Sequence, residues 1–220
     1  MVEAQVKFVV VGHHARRAQA DRLASLLGAH VLMDEEGNGA NWNHRRAIEW
    51  ASQQDCRVVI LEDDAVPMPG FKESVRQWLS RFPNDLISFY LGTGRPPQYQ
   101  LHIAAELIQA DKLSADFITM NRLIHGVCYS PPPCGIAKIL KEWNRTKAAD
   151  YAVGDALGRR VIYPCYSLVD HADGATVERH QDNQPRSERR RAWRLAMRPE
   201  PEKDNEQIIN TEAKTANGSV

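Results

Sequence analysis

The chain opens with apolar segments separated by stretches in which apolar residues recur every three or four positions. Val6-Lys7-Phe8-Val9-Val10-Val11 is rich in β-branched residues and ends at Gly12, which suits a buried strand of a parallel sheet followed by a turn. From His14 to Leu27 the residues Ala18, Leu23, Leu26 and Leu27 return at helical steps, with Gly28 placed to cap the end. His30 to Met33 predicts a second strand, residues 34–39 a loop, and Trp42 to Gln54 a helix with Ala47, Ile48 and Ala51 on one face. Arg57 to Leu61 is the clearest strand, and it runs straight into Glu62-Asp63-Asp64. After Pro67-Met68-Pro69-Gly70 a helix is predicted over Phe71 to Ser80, then a strand over Leu86 to Leu91 that ends at the loop 92–97.

Alternating strands and helices imply βαβ crossovers and a parallel sheet, hence an α/β fold of Rossmann-like type. The later pattern is less regular. Residues 117–123 and 126–130 read as strands around a turn, 136–143 and 150–157 as helices, and 160–163 as a short strand. Beyond about His180 the apolar periodicity fades. The predicted organisation is one folded domain over 1–180, a basic helical segment over 181–198 and a disordered tail over 199–220.

Composition narrows the classes of function. A chain of 220 residues fits one domain plus a tail, and 43% hydrophobic with 25% charged residues is ordinary for a globular protein. Formal net charge is zero, so no bulk field steers the molecule to nucleic acid or anionic membrane. No run of about 18 apolar residues predicts a membrane span, and Met1-Val2-Glu3-Ala4 has no signal-peptide character, so a cytoplasmic location is expected. Cys56, Cys128, Cys134 and Cys165 lack CxxC pairing, which argues against a zinc cage and for buried apolar roles.

Three adjacent carboxylates repel one another and oppose one another's ionisation. A solvated turn, an acid/base pair and a divalent-metal site are the readings open to Glu62-Asp63-Asp64. Location favours the metal, because ligands of open α/β sheets sit outside the carboxyl ends of the strands. Hard oxygen ligands suit Mg²⁺ or Mn²⁺, and such ions are commonly shared with substrate phosphates.

Val58-Val59-Ile60-Leu61-Glu62-Asp63-Asp64-Ala65 resembles the "LEDDV" stretch of family-25-like glycosyltransferases, the lipopolysaccharide and collagen galactosyltransferase relatives. Tyr163-Pro164-Cys165-Tyr166-Ser167-Leu168-Val169-Asp170-His171 resembles their late "P-x-LV-x-H" segment. The resemblance spans about residues 6 to 175 and implies a GT-A fold with a small antiparallel addition near the metal. It also implies that Glu62-x-Asp64 stands at the DxD position. Asp64 would bind the metal directly, Glu62 or Asp63 would contact metal or ribose, and His171 would complete the ligand set. Two carboxylates and an imidazole suit Mn²⁺ better than Mg²⁺.

The same resemblance implies a nucleotide-diphosphate sugar as donor, a UDP-sugar being favoured, and a hydroxyl-bearing acceptor. Gly12-His13-His14-Ala15-Arg16-Arg17 occupies the nucleotide-binding position, where Gly12 permits close approach, His13 lies in the same loop, and Arg16 or Arg17 meets a diphosphate. Asp34 is a candidate for uracil or ribose, and Asn43 and Arg46 for phosphate or sugar. Asn41 has a second reading as a helix cap.

Inverting transfer needs a carboxylate base for the acceptor hydroxyl. Asp150 and Asp155 are the candidates, Asp150 at the family's position and equally a possible helix cap. His125 lines the acceptor side or is a satisfied buried histidine. The segment with Arg189-Arg190-Arg191, Trp193 and Arg194 has residue types that engage phosphates and bases, so the acceptor classes include a hydroxymethylated DNA base beside proteins and glycans. A non-catalytic GT-A-like module gripping nucleic acid is the alternative, and a nucleotidyltransferase or phosphohydrolase is the enzymatic rival.

Overall fold

Strands whose side chains alternate between two apolar faces require cover on both. The computed structural model, which describes residues 5–172, 177 and 189–196, supplies it with helices on either side of a seven-stranded sheet. The elements in order are β1 (Val6–His13), α1 (Arg17–Leu27), β2 (His30–Asp34), α2 (Ala40–Ala51), β3 (Arg57–Glu62), β4 (Ala65–Pro67) and α3 (Phe71–Arg81). There follow β5 (Leu86–Ser88), α4 (Pro97–Leu113), β6 (Phe117–Met120), β7 (Cys128–Ser130), α5 (Ile136–Lys141), α6 (Ala149–Leu157), β8 (Val161–Pro164) and β9 (Val169–His171).

The strand order is β2-β1-β3-β7-β5-β8-β6, and β4 with β9 forms a separate antiparallel pair. Strands β2, β1 and β3 are mutually parallel, as are β5 and β8, while β7 and β6 run against their neighbours. This is a mostly parallel, Rossmann-like α/β sheet with a small antiparallel addition. Alternation divides the core: Val9, Val11, Val58 and Ile60 face the layer of α2, α4, α5 and α6. Phe8, Val10, Val59 and Leu61 face α1 and α3.

Three expectations change. The segment 97–113 is a 17-residue helix that the apolar pattern does not announce, because Leu101, Ile108 and Leu113 are exposed while Ile103, Leu107 and Ala110 are buried. Apolar residues on both faces erase the helical stripe. Residues 117–123 and 126–130 do not form strands around one turn. Strand β6 pairs with β8 at the sheet edge, whereas β7 lies between β3 and β5. Finally, the described part of the basic segment, 189–196, is not helical: Ala192 bridges Gly92 and Leu195 bridges Ser167. The predicted tail over 199–220 lies outside the described residues.

Cys128 and Cys165 are buried as expected, whereas Cys56 is half-buried and Cys134 exposed. Among the described residues no helix is long and apolar enough to cross a membrane.

A buried cation ties β3 to its neighbours. The Arg57 guanidinium donates to Ser130 Oγ at 2.9 Å, to the Ser130 carbonyl at 3.0 Å, and to the Phe82, Pro83 and Asp85 carbonyls. Burial lowers its pKa to about 10 despite the nearby Asp85. Arg57→Met keeps the apolar stem but strips the donors from these carbonyls. It is expected to cost about 3 kcal/mol in urea unfolding, with an unchanged m-value.

Candidate metal centre

The acidic cluster sits at the end of β3 because five buried residues, Arg57 to Leu61, deliver the chain to the sheet's rim. Two residues later the chain enters β4, which pairs with β9 so that Ala65 lies opposite His171. The Ala172 amide donates to the Asp64 carbonyl at 2.8 Å. This small sheet is the device that brings the late histidine to the early carboxylates. One ligand atom each from Glu62, Asp64 and His171 lies within 4.8 Å of the others. Ligands about 2.0–2.3 Å from one ion stand up to roughly 4.5 Å apart, so a shift of a few tenths of an ångström would let the three atoms share a single cation.

Protonation states sharpen the case. His171 Nδ1 lies 2.8 Å from the Ala172 carbonyl, which can only accept, so Nδ1 is assigned the proton and Nε2 keeps a lone pair. That lone pair faces Asp64 Oδ2 at 3.3 Å, one acceptor against another. Among the described residues, Asp64 Oδ1 and His171 Nε2 are both buried without a hydrogen-bond partner. Buried acceptors left this way are costly, and a cation between them removes the cost. The three residues could thus hold a metal ion.

The electrostatics of the rim are uneven. Burial raises the Asp64 pKa, and the Glu62 carboxylate adds to it against the pull of Arg16. Burial likewise raises Asp63, despite a 2.8 Å bond from the His13 amide and a 2.9 Å bond from Arg16. Arg16 also bonds Asp64. Glu62 goes the other way: burial opposes its ionisation, but the bond from the His44 ring and the charge of Arg190 hold the carboxyl low.

The remaining expected site residues divide by what they touch. His13 and Arg16 reach the acidic cluster directly. At Gly12 a Cβ would meet Ala20 Cβ at 3.0 Å and the Met33 thioether at 3.1 Å, so its bareness serves the packing of α1 on β1. Asp34 is buried and accepts from Asn38 N, Asn38 Nδ2 and Gly39 N at 2.8–3.1 Å, closing the turn before α2. Asn43 donates to the Gly12 and Leu32 carbonyls, and Arg46 to the Met33 carbonyl and Asn43 Oδ1. These three side chains brace the ends of β1 and β2.

Asp150 and Asp155 occupy contrasting settings on α6. Asp155 is ion-paired to Arg122 at 2.7 Å and to Lys147 at 2.6 Å, and its pKa is lowered. Asp150 accepts only from the adjacent Tyr151 amide among the described hydrogen bonds. Burial raises it to about 8, and the Glu62 charge adds to the effect over the opposing Tyr151 bond. His125 donates from Nε2 to the Arg95 carbonyl at 2.9 Å, while its buried Nδ1 has no hydrogen-bond partner. Burial lowers its pKa to about 4.

The basic segment returns to this rim. Its backbone is tied to Thr93, Leu91 and Ser167, and the Ala192 amide donates to Asp170 at 2.9 Å. Arg190 is close enough for its charge to act on Glu62 and His125. Trp193 Nε1 donates to Gln100, and Arg194 pairs bidentately with Asp111 beside the Tyr166 ring. Trp193 and Arg194 therefore hold the strap to the protein.

No family model matches the sequence, and no curated protein matches it. The fold is shared with a solved structure. A197 from STIV superposes with a TM-score of 0.51 over 88% of this chain and 97% of that one, at 11% sequence identity. At that identity the likeness concerns the fold alone, which it supports along nearly the whole of both chains.

Two residues near the cluster carried no assigned role in the sequence. His44 is buried with Ala47, Ile48 and Ala51 on the core face of α2, and Gly126 lies against Glu62. The signal for His44 was a polar residue at an i, i+3, i+4, i+7 position of an apolar stripe.

Proposed function

We propose that the protein is a metal-dependent glycosyltransferase of GT-A type. It would move a sugar from a nucleotide-diphosphate donor, a UDP-sugar being favoured, to a hydroxyl acceptor with inversion. The observation that carries this is the convergence of Glu62, Asp64 and His171 with two buried acceptors unpartnered, at the end of β3. The donor set of two carboxylates and an imidazole favours Mn²⁺. Bound there, the ion would stabilise negative charge on the departing diphosphate.

The chain's own residues account for the rest. Asp150 is the base: a carboxylate with its pKa near 8 takes a proton more readily than an ordinary one. The acceptor oxygen attacks the anomeric carbon, its proton passes to Asp150, and the bond to diphosphate breaks with its electron pair leaving on the phosphate oxygen. Arg190, whose charge acts on Glu62, would supply positive charge to the diphosphate. Asp155, neutralised by two cations, positions Arg122 and Lys147 instead.

A thermal-shift screen of nucleotide sugars with and without Mn²⁺ tests the reading. One donor is expected to stabilise the protein by about 2.7 kcal/mol at a hundred times its Kd, and only with the metal present. Equal stabilisation without metal, or by no donor, would sink the proposal.

A further inference from the structure

Resting on the metal reading above, we infer that His44 is a positioning residue for Glu62, with its own tautomer set by Tyr129. His44 is 1% exposed and Tyr129 fully buried, so their polar atoms must find partners within the protein. His44 Nδ1 lies 3.0 Å from the Tyr129 hydroxyl, the one hydrogen-bond partner recorded for that hydroxyl among the described residues. The phenolic O–H therefore donates to Nδ1, and the single N–H of the neutral imidazole lies on Nε2. Among the described residues Nε2 has no other partner, and it lies 3.4 Å from Glu62 Oε1.

The two histidines of the rim thus present opposite faces. His171 offers a lone pair to the cluster, as a ligand does. His44 offers an N–H, which suits the outer oxygen of a ligating carboxylate and leaves the other oxygen of Glu62 for the ion. The His44 and Tyr129 rings stack at 5.7 Å with 17° between planes, so the imidazole is held by packing as well as by its bond.

Gly126 makes the contact possible. A Cβ there would stand 2.7 Å from Glu62 Oε1 and 3.3 Å from His44 Cε1. Any side chain at 126 would displace the carboxylate from the imidazole. Residues of β3, α2, β7 and the loop before β7 therefore converge on the orientation of one carboxylate.

The test is Mn²⁺ binding alone, followed by the electron paramagnetic resonance of free and bound ion, on the full chain. His44→Phe and Gly126→Ala are expected to weaken Mn²⁺ 10- to 100-fold. His44→Gln, whose amide can donate to Glu62, should stay within a few-fold of wild type, and Tyr129→Phe should fall between. Nitrogen hyperfine coupling should report one coordinated histidine in wild type and still one in His44→Gln. Wild-type affinity in both His44→Phe and Tyr129→Phe would overturn the inference, as would loss of a coordinated nitrogen in His44→Gln, which would make His44 a ligand. Should His44→Phe fail to fold, Tyr129→Phe and His44→Gln decide the matter. Asp64→Asn separates the two levels: if it binds Mn²⁺ like wild type, or wild type binds none, the metal reading itself fails.

Discussion

Asp64→Asn is expected to lower kcat/KM at least ~10³-fold, about 4 kcal/mol of transition-state stabilisation, while leaving the metal-free protein as stable as before or more so. Most inactivating substitutions of buried residues destabilise. Here the sign reverses because the Asp64 carboxyl is 5% exposed and its pKa is raised, by burial first and by Glu62 next. A raised folded-state pKa means that stability falls as pH climbs from the unfolded pKa through the folded one. Asparagine does not titrate, so the variant escapes the loss and keeps an oxygen for Arg16. Calorimetry with and without Mn²⁺ reads both effects. Wild type should gain melting temperature from the ion and the variant should not. A variant that kept its turnover would remove Asp64 from the site.

The contrast between legible and hidden parts of the molecule follows from where polar and apolar residues stand. Strands β1 and β3 were readable because a strand buried on both faces needs a continuous β-branched run, and both have one. The acidic cluster was readable because three carboxylates have no place inside such a sheet unless something offsets them. Helix α4 was hidden: Leu101, 87% exposed, and Ile108 put apolar residues on the solvent face. The proposed ligand role of His171 came from resemblance, since the β4–β9 pairing is what brings it to Asp64, and three-residue strands leave too little pattern to detect.

The bracing side chains mark a different limit. Asp34, Asn43 and Arg46 have the residue types that meet nucleotides, and the sequence carries no sign that their polar atoms turn back to the Gly39 amide and the Gly12, Leu32 and Met33 carbonyls. His44 was overlooked for the converse reason. A histidine among core positions reads as packing, and its bond to Tyr129 crosses from α2 to β7.

Asp150→Asn is expected to cost 10²- to 10⁴-fold in kcat, with Mn²⁺ affinity unchanged. The carboxyl titrates near 8 against an unfolded value of 3.8, so between those pH values the folded protein holds a proton that the unfolded chain releases. Stability of wild type therefore declines from about pH 4 to about pH 8 and then levels. The Asn variant lacks this slope and should be more stable at pH 8 by on the order of 5 kcal/mol. Wild-type kcat/KM should rise with pH and level off below 8, because a divalent ion at Glu62 removes part of the repulsion that lifts Asp150. Asp155→Asn is the matched control. It breaks contacts to Arg122 and Lys147, so it should lose about 1 kcal/mol and keep its transfer rate within a few-fold. If the two variants lost activity alike, the base would not be Asp150 alone. If only Asp155→Asn did, the roles on α6 would be exchanged.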